Sequence, residues 1–241
     1  MNIELYNSIN WSTNVVWSWH TIWTTMLFVA VGYLLGSILV SRTYISLVRG
    51  GNTTFTNKKT GKEYTLTRFG TSVTARSLGL KWGIIHFIWD FAKPMVAFWG
   101  FMYPLVQFGP EVFQSGIVSL GLLAVLIGNN WPIFWNFEGG IGVACGVGIL
   151  VTINWIAGLI GFLTWLVVAS VTGNSGLGGL AGTVIGISMM FIPYFIGHPL
   201  MHDFFRGDAQ YVYMLIVMVT LMVYKHKYAI KSLINKIKNK K

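Results

Sequence analysis

Residues 142–171, GVACGVGILVTINWIAGLIGFLTWLVVASV, run for 30 positions without one charged side chain. A helix needs about 20 apolar residues to cross the hydrocarbon of a bilayer. The run is therefore too long for one upright span and short for two ordinary ones. Asn154 and Trp155 offer a tight turn between two short crossings, whereas a single tilted helix would absorb the same length without a break. Five more apolar runs lie near 22–41, 83–106, 115–131, 179–197 and 209–224, which makes six or seven spans. Charged residues make up only 10% of the 241, against about 25% in soluble domains. The chain is an integral membrane protein, and soluble classes are excluded. Glu4 is the first charge and no basic n-region precedes it, so a cleaved signal peptide is not expected. Cys145 is the single cysteine; no intrachain disulfide can form, and a packed thiol is expected.

The net charge of +10 is unevenly placed. Arg42, Arg49, Lys58, Lys59, Lys62, Arg68, Arg76 and Lys81 crowd the loop 42–82 with Glu63 as its only acid, and the tail 225–241 holds seven lysines and no acid. Both segments flank apolar spans, so they read as cytoplasmic and as partners of anionic lipid headgroups rather than of nucleic acid. With the N-terminus outside, an odd number of spans places both inside. The expected architecture is an all-α membrane protein of about seven transmembrane helices, N-terminus out and C-terminus in. It comprises an extracytoplasmic segment 1–21, a membrane domain 22–224 carrying the cytoplasmic loop 42–82, and a basic tail 225–241. Ile230, Leu233, Ile234 and Ile237 put one apolar stripe on that tail, suited to the membrane surface. Around KKTG the loop suits a small hairpin as well as it suits disorder. Gly32 with Gly36, and Ala157 with Gly161, have the small-xxx-small spacing that lets helices approach closely in lipid.

Residues that could carry chemistry are few. Asp90 and Lys93 lie at i, i+3 within a span, where charges face a bundle interior or a watery cavity; Pro94 follows and should kink the helix. His198, His202 and Asp203 lack an evident third ligand, so no metal is expected. His226 opens the basic tail. The stretch WPIFWNFEGGIGVACGVG at 131–148 has a glycine pair, and the backbone N–H groups around Gly139, Gly140 and Gly142 could form an anion nest ahead of a helix. GNSGLGGLAG at 173–182 matches neither a Walker loop nor a dinucleotide fingerprint, and no cofactor is implied.

Four segments, in order, resemble the bacterial acyl-phosphate:glycerol-3-phosphate acyltransferases. GYLLGSI (32–38) is similar to that family's first-span signature. GTSVTARSLGLKWG, running on to DFAKP, is similar to Gly-Ala-Thr-Asn-Val-x-Arg-x-Leu-Gly with a following Asp-x-x-Lys. GNNWPIFWNFEGGIGVACGVG is similar to Gly-His-Asn-x-Pro followed by Lys-Gly-Gly-Lys-Gly-Val-Ala-Thr, and YKHKYAIKSLI is similar to His-Arg-x-Asn-Ile-x-Arg-Leu. The resemblance runs from about residue 25 to 235. It implies a seven-span enzyme that makes lysophosphatidic acid from acyl-phosphate and glycerol-3-phosphate, without metal or thioester. It further implies Ser37, Arg76, Asp90, Lys93, Asn130, Gly139, Gly140 and Gly142 as substrate-binding residues, with His226 assisting proton transfer.

The departures fall on phosphate-binding places. Glu138 and Ile141 stand where the family's glycine loop has lysines, Asn129 replaces its histidine, and Val73 an asparagine. Gly176 and Gly179 take the places of two serines, and Lys227 and Ala229 depart from the closing motif. A glutamate about 4 Å from a phosphate would turn attraction into repulsion of about 4 kcal/mol per charge pair at an effective dielectric near 20. Two readings follow. The preferred one is a protein of the acyltransferase fold with lost or altered catalysis, serving as a lipid-contacting scaffold or subunit in a membrane assembly. The alternative is an active acyltransferase.

Overall fold

The computed structural model of the protein describes residues 19–56, 61, 63–66, 69–107, 115–196 and 216–227. The segment 1–18, the apolar stripe of the tail, and His198, His202 and Asp203 lie outside the described residues. Helix α1 (Trp19–Ser37) turns at Ile38 and Leu39 into the short helix α2 (Val40–Arg49). Strands β1 (Thr54–Thr56) and β2 (Glu63–Thr65) pair antiparallel, Phe55 opposite Tyr64. Helices α3 (Thr71–Leu78) and α4 (Leu80–Ala97) follow, then a π-helical turn over Phe98–Met102 and α5 (Tyr103–Gln107). After α6 (Ser115–Asn130) comes a short 3₁₀ turn, Ile133–Trp135, and then α7 (Val143–Ile153), α8 (Trp155–Thr172) and α9 (Ser175–Ile196). Residues 216–227 form α10. The protein is thus mostly helical rather than purely so. The hairpin in the basic loop is real, its strands short enough to need the stacked Phe55 and Tyr64 rings for support.

The uncharged run folds as two helices. Asn154 has extended backbone, φ −148°, and its Oδ1 accepts from the N–H groups of Ile156 and Ala157, both at 3.1 Å. That cap starts α8 where α7 ends. Helix α4 runs through Pro94. A π-helical turn follows at Phe98–Met102, where Tyr103 N–H reaches back five residues to the Phe98 carbonyl.

The core is built from Phe28 of α1, Phe98 and Met102 of the π turn, Leu122 and Leu126 of α6, Ile149 of α7, and Met218 and Met222 of α10, all fully buried. Apolar side chains also cover the outside: Trp23, Leu27 and Leu34 on α1, and Leu159, Leu163, Leu166 and Val167 on α8. Such a surface belongs in lipid. Among the described residues, Trp19–Ser37, Ile117–Trp135 and Trp155–Thr172 are long and apolar enough to cross a membrane. Cys145 is fully buried, as a packed thiol should be.

Helices α1 and α6 touch backbone to backbone. A Cβ on Gly36 would collide with the Val125 carbonyl, and one on Gly128 with the Tyr33 carbonyl. The predicted small-residue seam is therefore the place where the two helices meet. Gly36→Val is expected to destabilise the bundle by about 1–3 kcal/mol. Thermal unfolding in detergent reads this; an unchanged midpoint would mean the helices can separate at no cost.

Candidate active site

Three helices begin at one cavity. Gly70, Thr71, Ser72 and Val73 from the start of α3, Ile141–Ala144 from the start of α7, and Asn174–Gly176 from the start of α9 line a space of about 450 Å³. The first turn of a helix leaves N–H groups without intrahelical partners and carries about half a positive charge. Among the described residues, the ends of α3 and α7 and the Asn174-capped end of α9 face one C-terminus on the lining, that of α8 at Gly173. Arg76, exposed on α3, adds a full positive charge at the mouth. Phe87 of α4 and Trp165 of α8 close the apolar side, their rings stacked 5.9 Å apart. One half of the cavity therefore suits an anion, and the other suits hydrocarbon.

Asp90 is the carboxylate on the cavity wall, and it does not stand alone. Its Oδ1 lies 2.8 Å from Lys93 Nζ and its Oδ2 3.2 Å from His86 Nε2. Lys93 is 1% exposed and lies behind Asp90, not on the cavity surface. Its ammonium also donates to the Gly36 carbonyl at 3.1 Å and to Asn129 Oδ1 at 2.9 Å. The ammonium thus has two hydrogen bonds, to α1 and α6, and an ion pair to α4. Asn129, where the family resemblance calls for histidine, is what completes that set. Lys93 thus reads as the cross-link that holds Asp90 and three helices together, rather than as a phosphate ligand.

The glycine loop wraps the end of α6. Gly140 N–H donates to the Asn129 carbonyl at 3.0 Å, and Phe69 N–H donates to the Gly139 carbonyl at 3.3 Å. Gly142 has φ +86°, and a Cβ there would lie 2.6 Å from Asn130 Oδ1 and 2.7 Å from Leu126 Cδ1. Asn130 is fully buried behind that glycine. Only glycine can both turn the chain and let α7 start so close to α6. Ser37 Oγ donates to the Tyr33 carbonyl at 2.8 Å and accepts from Ile133 N–H at 3.4 Å, tying α1 to the same loop.

Glu138 is not among the residues lining the cavity. Its Oε2 lies 2.6 Å from Arg42 Nη2, and the side chain is half-exposed. The carboxylate is turned onto a cation of α2 and is not on the cavity wall. Ile141 and Val73 do line the cavity, so two polar positions of the family pattern have become apolar there.

Of the residues read from sequence, Arg76, Asp90 and Gly142 line the cavity. Asn130, Gly139, Gly140, Ser37 and Lys93 form the layer supporting it. His226 is buried on α10, its Nδ1 2.7 Å from the Met222 carbonyl. A Cβ on Gly179 would meet both the cavity residue Val143 and, at 3.1 Å, His226 Nε2, so the imidazole lies close behind that wall. Lys225 beside it donates to the Asn130 carbonyl at 2.6 Å, fixing α10 to the end of α6. Sequence reasoning missed Ser72 and Ser175, whose hydroxyls meet at 2.8 Å across the cavity between α3 and α9. A signal was present. Asn174 Oδ1 accepts from Gly176 and Leu177 N–H at 3.0 and 3.3 Å, and Asn-Ser ahead of an apolar run is a helix start. The family's serine position falls one residue further on, at Gly176.

Fold and site together define an integral membrane protein with a cavity lined by helix N-termini on one side and aromatic rings on the other. A family model described as glycerol-3-phosphate acyltransferase matches residues 26–236, and the chain belongs to that family. It is similar to the glycerol-3-phosphate acyltransferase of Herminiimonas arsenicoxydans, 32% identical over 210 residues that cover 86% of this chain and 90% of the relative. That of Mesoplasma florum is 30% identical over 69% of this chain and 61% of the relative; that of Aquifex aeolicus is 26% identical over 87% and 95%. Among solved structures, PlsY (YgiH), an integral membrane glycerol 3-phosphate acyltransferase, shares the fold in its lysophosphatidic acid and glycerol 3-phosphate forms. The TM-scores are 0.66 and 0.65 at 23% and 24% identity, each over 88% of this chain and 92% of the other.

Proposed function

We propose that the protein is an active acyltransferase that moves an acyl group from acyl-phosphate to glycerol-3-phosphate. The convergence of three helix N-termini and Arg76 on one cavity carries this reading, because it supplies phosphate recognition without the glycine-loop lysines. The scaffold reading rested on the whole set of departures at phosphate-binding places, of which Glu138 does not line the cavity while Ile141 and Val73 do. With Glu138 held by Arg42, neither the fold nor the relatives support it.

In the reaction, the acceptor hydroxyl oxygen forms a bond to the acyl carbonyl carbon. The bond from that carbon to the bridging phosphate oxygen breaks, and inorganic phosphate leaves. The N–H groups at the start of α7, with Arg76, hold phosphate, and the Ser72–Ser175 pair adds neutral donors. His226, behind Val143, accepts the hydroxyl proton and returns it to the leaving phosphate, so the imidazole ends as it began. Asp90, kept in place by Lys93 and His86, orients the acceptor. The acyl chain lies along Phe87 and Trp165, toward lipid. Such a path suits seven crossings with the cavity on the cytoplasmic side, the N-terminus outside and the basic tail among anionic headgroups.

Arg76→Ala is expected to raise the KM for glycerol-3-phosphate by about tenfold or more, with a smaller change in kcat, since it removes one charge-assisted contact worth about 1.5–3 kcal/mol. Steady-state transfer in lipid reads both constants. An unchanged KM would remove Arg76 from the phosphate site.

A further inference from the structure

Glu138 occupies a lysine position of the family pattern, yet it is engaged in a way that explains the acid. Arg42 Nη2 lies 2.6 Å from its carboxylate and 3.5 Å from its own backbone carbonyl, so one guanidinium grips both side chain and main chain of the loop. The same guanidinium sits 3.6 Å from the centre of the Phe69 ring, within cation–π distance. Phe69 is fully buried, its N–H donates to the Gly139 carbonyl, and the next residue, Gly70, is the first of the cavity wall. Arg42 therefore touches two chain segments that each run straight into the cavity: Phe69 into the start of α3, and Glu138 into the start of α7.

The loop needs such a hold. Asn136 and Phe137 have φ +50° and +59°, consecutive non-glycine residues in the left-handed region. Backbone of this kind is strained and persists only where surrounding contacts over-determine it. Phe137 N–H donates to the Pro132 carbonyl and Glu138 N–H to the Trp135 carbonyl, both at 3.0 Å, which closes the turn on itself. Arg42 is the contact that ties this closed turn to α2.

We propose that Arg42 is a positioning residue, and that Glu138 is its anchor: together they clamp the two cavity-forming helix starts in register, so that in this chain an acid is required where the family pattern has lysine. The proposal rests on the acyltransferase reading for its kinetic consequence, not for its structural one. It makes a prediction opposite to the one family resemblance suggests. Glu138→Lys, which restores the family residue, puts a second cation against Arg42 and should impair the site rather than improve it.

The test uses the full-length protein in lipid nanodiscs, comparing wild type, E138K, R42A and the charge-exchanged pair R42E/E138K. Two readouts are taken: steady-state KM and kcat for glycerol-3-phosphate, and amide hydrogen exchange across residues 69–78 and 136–146. E138K and R42A are expected to raise KM about fivefold or more, with kcat less affected, and to speed exchange in both segments together. The exchanged pair restores the ion pair but neither the Phe69 contact nor the bond to the residue-138 carbonyl, so it is expected to improve both readouts over either single variant without reaching wild type. An E138K enzyme as active as wild type or more so would overturn the proposal. So would exchange that stays unchanged, or a double variant no better than the singles. If wild type transfers no acyl group but the exchange pattern holds, the acyltransferase reading fails and the clamp stands.

Discussion

Lys93→Met is expected to cost the fold about 3–5 kcal/mol, enough to lose most of the protein during detergent extraction. Methionine fills nearly the same volume, so the effect is electrostatic. Without the ammonium, Asp90 keeps a carboxylate at 4% exposure facing only His86, while the Gly36 carbonyl and Asn129 Oδ1 lose their donor. The unpaired charge is the larger penalty, because leaving one member of a buried pair costs more than removing both. Lys93→Met with Asp90→Asn should therefore be more stable than Lys93→Met alone. Monodispersity on gel filtration and the thermal midpoint give the answer. A single variant as stable as wild type would mean that Asp90 is not charged in the folded protein and that α1, α4 and α6 do not depend on the cross-link.

Gly142→Ala should lower kcat/KM by about 100-fold or more, with a smaller effect on stability. Its φ of +86° is strained for any residue bearing a Cβ, and that carbon would lie against Asn130 Oδ1 and Leu126 Cδ1. Relief requires the start of α7 to move, and with it the N–H groups assigned to the phosphate. Displacing preorganised donors costs about 2.7–4 kcal/mol of transition-state stabilisation each. Gly50→Ala is the matched control: φ is +56°, but nothing lies within 4 Å of the new carbon. It carries the backbone penalty without touching the cavity, so its activity should stay near wild type. Equal losses in both variants would show that strain alone, and not the position of α7, sets the activity.

The membrane class was legible because charge and hydropathy act through composition, and the helix pairing of α1 with α6 was legible because glycine spacing records close approach. The break at Asn154 was visible as an alternative; the side-chain cap that decides it depends on which way Asn154 turns, and spacing does not carry that. The active site was half legible. Motif order brought Arg76, Asp90 and Gly142 to one place, and all three line the cavity. What sequence could not show was direction. Lys93 on its helix and Glu138 on its loop both occupy motif positions whose pattern points to a phosphate. In the fold Lys93 turns toward Asn129, and Glu138 toward Arg42, 96 positions away in the chain. Contacts at that separation are set by packing, and no local pattern encodes them. Ser175 was missed for a smaller reason: a one-residue offset from the expected serine at position 176.

The most direct measurement follows acyl transfer itself. Purified protein in lipid is given acyl-phosphate and isotope-labelled glycerol-3-phosphate, and labelled lysophosphatidic acid is quantified by mass spectrometry, with His226→Ala beside the wild type. The account predicts labelled product from wild type, and about 100-fold less from the variant, within the range for removing a general acid–base group. No product from wild-type protein that is monodisperse and thermally stable, under conditions where a relative's enzyme turns over, would contradict it.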